Sequence, residues 1–263
     1  MTAARLTRRS LLAGLGAATL ATPALASAAL RGPYGLDWLE TASAAAGAPA
    51  PSSLHSAFSH ALYVNVAGRG DGAQRLWMLS RAEGADWGLG LTDRAGDGAD
   101  GASWLISSGR KYAGERSGPT PPGVFNLDER PHRHRPGWGS PGMYNALYID
   151  LHYSSGRASG VALHGTPRSK YRRLGTIDSH GCVRMTQENA DQLWAVIHPG
   201  GARGPASPIW GDVPRFFRTT PRQDWTARRG YVRDGSLLQD ASTGALLTKP
   251  GYRMLAVFFH PAA

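Results

Sequence analysis

Turn residues interrupt this chain at short intervals, and that limits what it can fold into. It holds 34 Gly and 18 Pro in 263 residues, with only 18% charged residues. Arg69-Gly70-Asp71-Gly72, Thr120-Pro121-Pro122-Gly123 and Ser154-Ser155-Gly156-Arg157 each read as a turn. Glycine enters φ values closed to other residues, and proline fixes φ. Between the turns lie short runs rich in β-branched and aromatic residues. Residues 61–66 and 75–79 predict a hairpin; residues 104–109, 124–127, 144–151 and 160–164 predict further strands. Residues 231–260 predict one or two terminal hairpins. A single segment breaks the pattern. Thr186 is a helix cap, and Ala190, Leu193, Trp194 and Ile197 fall at i, i+3, i+4 and i+7, one apolar helical face, before His198-Pro199-Gly200-Gly201 stops it. The expectation is a mostly β, mostly antiparallel protein with one short helix, large enough to bury a sizeable core.

The N-terminus reads as an address. Thr7-Arg8-Arg9-Ser10-Leu11-Leu12 sets paired arginines before an apolar run that ends at Leu25, too short to span a membrane comfortably. Small residues at 24–28 offer a cleavage site. Residues 1–28 resemble a twin-arginine export signal, which would carry a folded protein to the periplasm or cell wall and leave no stable membrane anchor after cleavage. Residues 29–55, rich in Ala, Ser, Gly and Pro over 40–53, read as a linker. Residues 56–220 are then expected to form the main domain, and 221–263 a C-terminal β extension or the remainder of it. The net charge is +10, suited to a polyanionic neighbour. No basic run is interleaved with aromatics, so nucleic acid is not an expected partner. His132 and His134 lie in a basic loop at 129–142 that reads as solvated.

Chemistry concentrates at residues 164–184, which contain the one cysteine, Cys182. A lone thiol kept in an exported chain suggests use. The thiolate is the attacking form, so a catalytic cysteine needs a base or a positive neighbour. His164, at a strand end, is a candidate base. Cys182 lies shortly before the predicted helix, whose N-terminus would favour a thiolate. Gly181 permits a tight turn, so that the N–H groups of Gly181 and Cys182 can face a developing oxyanion. Metal chemistry is not expected. The residue seven beyond His164 is Tyr171, which breaks a His-x(6)-Asp pattern, and no Cys-x(2)-Cys or His-Glu-x-x-His occurs. No cofactor is implied.

His164-Gly165-Thr166, a spacer of twelve residues, and then Ser179-His180-Gly181-Cys182-Val183-Arg184-Met185 resemble the signature of the L,D-transpeptidase catalytic domain, YkuD type. Ile106-Ser107-Ser108-Gly109 and Thr120-Pro121-Pro122-Gly123-Val124-Phe125 resemble that family's strand, glycine and Thr-Pro-x-Gly turn. The resemblance covers roughly residues 58–198. It implies a β-sandwich or barrel with a short helix after the catalytic cysteine, and a cysteine that acylates on a peptidoglycan stem peptide, with stem peptides as donor and acceptor. Carried over by position, Cys182 is the nucleophile and His164 the general base and later acid, its ring oriented by the Gly165 carbonyl. His180, Gly181 and Cys182 supply main-chain N–H groups to the oxyanion. Ser179 and Arg184 support the site, Arg184 either meeting a stem carboxylate or forming a structural ion pair. The expected product is a 3→3 cross-link. Water or a protein amine as acceptor would give a carboxypeptidase, an endopeptidase or a lipoprotein-attaching or -detaching enzyme. A non-catalytic wall-binding module is the reading from another class.

Overall fold

The computed structural model describes residues 33–91, 93, 101–153, 155–214 and 239–261, together with 225–227, 232–233 and 236–237. The export signal expected over residues 1–28 lies outside the described residues. Helix α1 is Leu36–Ala45. Strands follow in order as β1 (His60–Asn65), β2 (Arg75–Ser80), β3 (Gly88–Leu89), β4 (Trp104–Leu105), β5 (Gly123–Asn126), β6 (Tyr144–Tyr148), β7 (Leu151–Tyr153), β8 (Ala162–Gly165) and β9 (Val183–Met185). After helix α2 (Gln187–Ile197) come β10 (Trp210–Pro214), β11 (Trp225–Ala227), β12 (Val232–Arg233), β13 (Ser236–Leu237), β14 (Thr248–Tyr252) and β15 (Met254–Phe259).

The main sheet runs β3-β2-β1-β15-β5, with β4 also paired to β2. The hairpin of β1 and β2 is as the sequence implies, antiparallel with Tyr63 opposite Trp77. The last strand is not peripheral. β15 lies parallel to β1 and antiparallel to β5, in the middle of the sheet, and Met254 to Phe259 are all buried. Residues 254–259 are thus part of the main fold, which removes the reading of a C-terminal extension for that stretch.

β1 and β15 are apolar on both faces, a pattern that demands cover on both. One face, with Leu62, Val64, Met78, Phe125 and Phe258, packs against the smaller sheet β6-β8-β9 and helix α2. The other, with Tyr63, Trp77, Leu79, Val257 and Phe259, is covered by α1. Here the expected linker over 29–55 is corrected. From Leu36 to Ala45 it is a helix whose Leu39 is fully buried, whose Trp38 stacks on Trp77 at 5.3 Å, and whose lead-in accepts the Trp77 indole N–H at the Tyr34 carbonyl. Pro49 accepts the Tyr63 hydroxyl at 2.9 Å. Small residues mislead here because Ala is also the best helix former; the apolar side chains at 36, 38 and 39 close the second core.

The smaller sheet carries the chemistry. β8 pairs antiparallel with β6 and parallel with β9, with Leu163 opposite Val183 and His164 opposite Arg184. Leu163, Val183 and Met185 turn towards α2, where Ala190, Leu193 and Ile197 are buried and Trp194 is half-buried. A Cβ on Gly165 would come within 3.1 Å of the Ala190 Cβ, so glycine lets α2 approach β8. His164, Cys182 and Arg184 therefore share the opposite face, since paired strand residues point the same way. The strand expected over 104–109 is regular only at β4. It continues as single bridges, Ser107 with Arg184 and Gly109 with Ser179, and so ties the two sheets together beside Cys182.

Candidate active site

His164 is the penultimate residue of β8 and is 3% exposed. Its Nδ1–H donates to the Gly165 carbonyl at 2.8 Å, which leaves Nε2 with the free lone pair of the neutral ring. Burial pushes its pKa down to about 4; the Gly165 bond opposes this and the Arg184 charge adds to it. The ring is neutral at pH 7. Register places Cys182 next to Ala162, two residues along from the partner of His164, or roughly 8 Å between backbones at strand spacings.

Cys182 is half-buried, and its thiol donates to the Gly160 carbonyl at 3.6 Å. Burial pushes the thiol pKa up, while a hydrogen bond from the Ala162 main chain and the charge of Arg184 pull the other way. The helix does not do what its nearness in sequence suggests. Strand β9 separates Cys182 from α2, and the first helical N–H groups are already used: Gln187 donates to the Tyr171 hydroxyl and Asn189 to the Thr186 side chain. Thiolate support comes instead from Ala162 and Arg184.

The loop before Cys182 is closed by Ser179. Its buried hydroxyl donates to the Cys182 carbonyl at 2.5 Å and accepts the Gly181 N–H at 3.1 Å. The Gly181 N–H is thereby committed inside the loop, which removes it from the expected oxyanion donors. Gly181 has φ +138°, a conformation that favours glycine. Arg184 lies between His164 and Asp178: Nη1 donates to the Asp178 carbonyl at 2.9 Å and sits 3.5 Å from its carboxylate. Of its two expected roles, this geometry is the ion pair. His180 is exposed, and its Nε2 lies 2.6 Å from the Glu115 carboxylate.

Several residues at the site make contacts that their sequence signal did not assign. Thr120 accepts the Gly109 N–H at 2.8 Å and donates to the Gly181 carbonyl at 2.9 Å, so the Thr-Pro-x-Gly turn is tied to the cysteine loop. Tyr112 stacks on His180 at 4.7 Å, and its hydroxyl donates to the Asp178 carbonyl at 2.6 Å. Glu115 and Tyr112 belong to a strap over residues 110–118. The strap's length is visible in the sequence, but its contacts are not. His134, from the basic loop, is not solvated: it is fully buried and bonded to His198 at 3.0 Å, away from the cysteine. Among the described residues, no group of three or more His, Cys, Asp or Glu is placed to hold a metal ion, and no helix is long and apolar enough to cross a membrane.

Fold and site together define a β-rich domain in which a strand-end histidine and a cysteine loop share one sheet face. Residues 94–209 match the family model of the L,D-transpeptidase catalytic domain, YkuD. Similar solved structures include an L,D-transpeptidase from Mycobacterium tuberculosis H37Rv (16% identity, 52% of each chain covered, TM-score 0.34). Others are an L,D-transpeptidase from Stackebrandtia nassauensis (17%, 52% of this chain and 49% of that one, 0.30) and one from Xylanimonas cellulosilytica DSM 15894 (18%, 59% and 71%, 0.29). The chain spans about half the length of the first of these. No curated protein matches.

Proposed function

We propose that this protein is an exported L,D-transpeptidase that acts on peptidoglycan stem peptides through an acyl-enzyme on Cys182. The observation that carries this reading is the Nδ1–H bond from His164 to the Gly165 carbonyl. It fixes a neutral tautomer whose Nε2 is a proton acceptor on the sheet face that Cys182 shares. Both partners rest uncharged, so attack and proton transfer are coupled. The thiol turns from Gly160, gives its proton to His164 Nε2 and attacks the carbonyl of the third stem residue. The oxyanion is met by main-chain N–H groups of His180 and Cys182. The His164 imidazolium then protonates the leaving D-alanine nitrogen, and a thioester remains. An amine on a neighbouring stem attacks it as His164 takes the amine proton. The thioester collapses to a 3→3 amide, and the thiol is restored.

Two measurements test this. Intact mass after incubation with a carbapenem is expected to show one adduct on the wild type and none on Cys182→Ala; an adduct on the variant refutes the nucleophile. Muropeptide analysis with a tetrapeptide substrate is expected to show 3→3 dimers; shortened stems alone would make water the acceptor. Export is tested by fractionating cells, with the mature chain expected outside the inner membrane.

A further inference from the structure

Trp138 stands 50% exposed, the one exposed Trp, Tyr or Phe among the described residues. Indoles are among the side chains that gain most from burial, so one left in water invites a reason. Its sequence setting keeps it open. In Pro136-Gly137-Trp138-Gly139 both neighbours lack a side chain that could cover the ring.

The turn that carries this indole is firmly built. Arg135 and Ala146 exchange main-chain bonds at 3.0 and 2.8 Å. The Asn145 N–H donates to the Gly137 carbonyl at 2.9 Å, and the Gly137 N–H donates to the Asn145 side-chain oxygen at 2.7 Å. The Asn145 amide also donates to Asp191 Oδ1, on α2, at 2.8 Å. Asn145 is buried, takes φ +48°, and lies where the register of β6 against β8 shifts. A residue other than glycine in this region costs about 1 kcal/mol or more, and it persists where its surroundings fix it. These bonds hold the turn in place without sheltering the ring.

Trp138 and Tyr144 make an aromatic corner, with centroids 5.2 Å apart and planes at 57°. Burial first, then hydrogen bonding to Asp191 and its charge, push the Tyr144 pKa up, so an exposed carboxylate borders the corner. Tyr144 lies opposite Gly165, the residue after His164, and a Cβ on Gly165 would meet both the Tyr144 Cβ and the Ala190 Cβ of α2. The corner is thus on the α2 side of the sheet, the face opposite Cys182. It is too small for a folded partner. A standard protein interface takes roughly 800 Å² from each side, whereas aromatic side chains supply about 150–250 Å² each when wholly covered. An open ring face with a carboxylate at its edge instead matches a pyranose, which has an apolar C–H face and outward hydroxyl donors.

We propose that Trp138, Tyr144 and Asp191 form a sugar-binding subsite in which one N-acetylhexosamine ring of a β-1,4-linked glycan stacks on Trp138 and donates a hydroxyl to Asp191. The choice of sugar rests on the function proposed above, since stem peptides are carried on such a glycan. The subsite itself takes no part in acyl transfer.

The test is titration of the full chain with N,N′,N″-triacetylchitotriose by isothermal calorimetry, with maltotriose as the second sugar. Wild type is expected to bind chitotriose and to prefer it to maltotriose. Trp138→Ala is expected to weaken chitotriose binding at least about 10-fold, or about 1.4 kcal/mol, and Trp138→Phe by less. Leu247→Ala, which removes another exposed apolar side chain, is expected to bind as wild type does. Carbapenem acylation of Trp138→Ala is expected to match wild type, which shows that the variant is folded. No binding of chitotriose by wild type, equal binding of maltotriose, or an unchanged affinity in Trp138→Ala overturns the subsite. Chitotriose binding by a wild type that no carbapenem acylates would support the subsite and count against the proposed enzyme.

Discussion

Lowering the pH from 7.5 to 5 removes a large part of the stability of this fold through its buried histidines. His164 is almost fully buried and held neutral, with its pKa pushed down to about 4 by burial. His134 and His198 are buried and in contact, and burial first, then for His134 the neighbouring ring, pushes both below the ordinary value of 6.5. A folded pKa below the unfolded one means that the unfolded chain binds more protons between pH 6.5 and 4. Stability therefore falls as pH falls through that window. At pH 5 a histidine shifted from 6.5 to about 4 contributes a loss of about 2 kcal/mol relative to pH 7.5. Counting the touching pair as one or as two gives a total of about 4 to 6 kcal/mol, against a typical domain stability of about 5–15 kcal/mol. Asp128 does not offset this. Burial opposes its ionisation, but its bond to Arg130 and the charges of Arg130 and Arg133 hold it below the usual carboxylate range. Its contribution is lost only at still lower pH. The assay is urea unfolding followed by tryptophan fluorescence at pH 7.5, 6 and 5, with His164→Gln expected to lose about 2 kcal/mol less than wild type over the same range. A change below about 1 kcal/mol from pH 7.5 to 5 would refute the reasoning, because three unfavourably buried imidazoles cannot all be neutral at no cost.

Further outcomes follow from the same geometry. A Cβ at Gly109 would lie 2.3 Å from the Gly118 carbonyl and 2.5 Å from the Gly181 Cα, so Gly109→Ala should displace the cysteine loop. It should lower the carbapenem acylation rate at least about 10-fold, a barrier change of about 1.4 kcal/mol, measured by stopped-flow fluorescence. Thr120→Val keeps the shape but strands the Gly109 N–H and frees the Gly181 carbonyl; a stability loss of about 1–3 kcal/mol is expected by urea unfolding. The acylation rate should show no ionisation near pH 6.5 and should fall only as His164 protonates towards pH 4, which stopped-flow mixing across pH 4.5–8 will read. Leu39→Ala should cost about 2–5 kcal/mol by the same unfolding assay, because α1 closes the second face of the sheet.

The parts of this molecule that were legible in its sequence are those written locally. The β1–β2 hairpin follows from two short apolar runs around a glycine turn, and α2 from one apolar stripe behind the Thr186 cap, whose side chain does accept the Asn189 N–H. The Gly165 carbonyl as partner of His164 is equally local, one residue away. The misreadings all concern what a segment meets in space. Ala- and Ser-rich residues after position 35 look like a tether until the second face of β1 and β15 is known to need cover. The last strand looks peripheral because parallel pairing to β1, nearly 200 positions earlier, leaves no mark in either stretch. Cys182 looks like a helix-end thiol by counting residues, yet β9 intervenes and Ala162 supplies the donor. The same limit explains the strap. Its cations are visible as a run of charge, but that it lies on the cysteine loop depends on Tyr112 stacking on His180 and Glu115 reaching it. The site is therefore held from three directions. β8 supplies the base, the Thr120 turn holds the loop, and the strap grips His180. With Cys182 and His164 both in place, loop position is then the variable on which the acylation rate should depend.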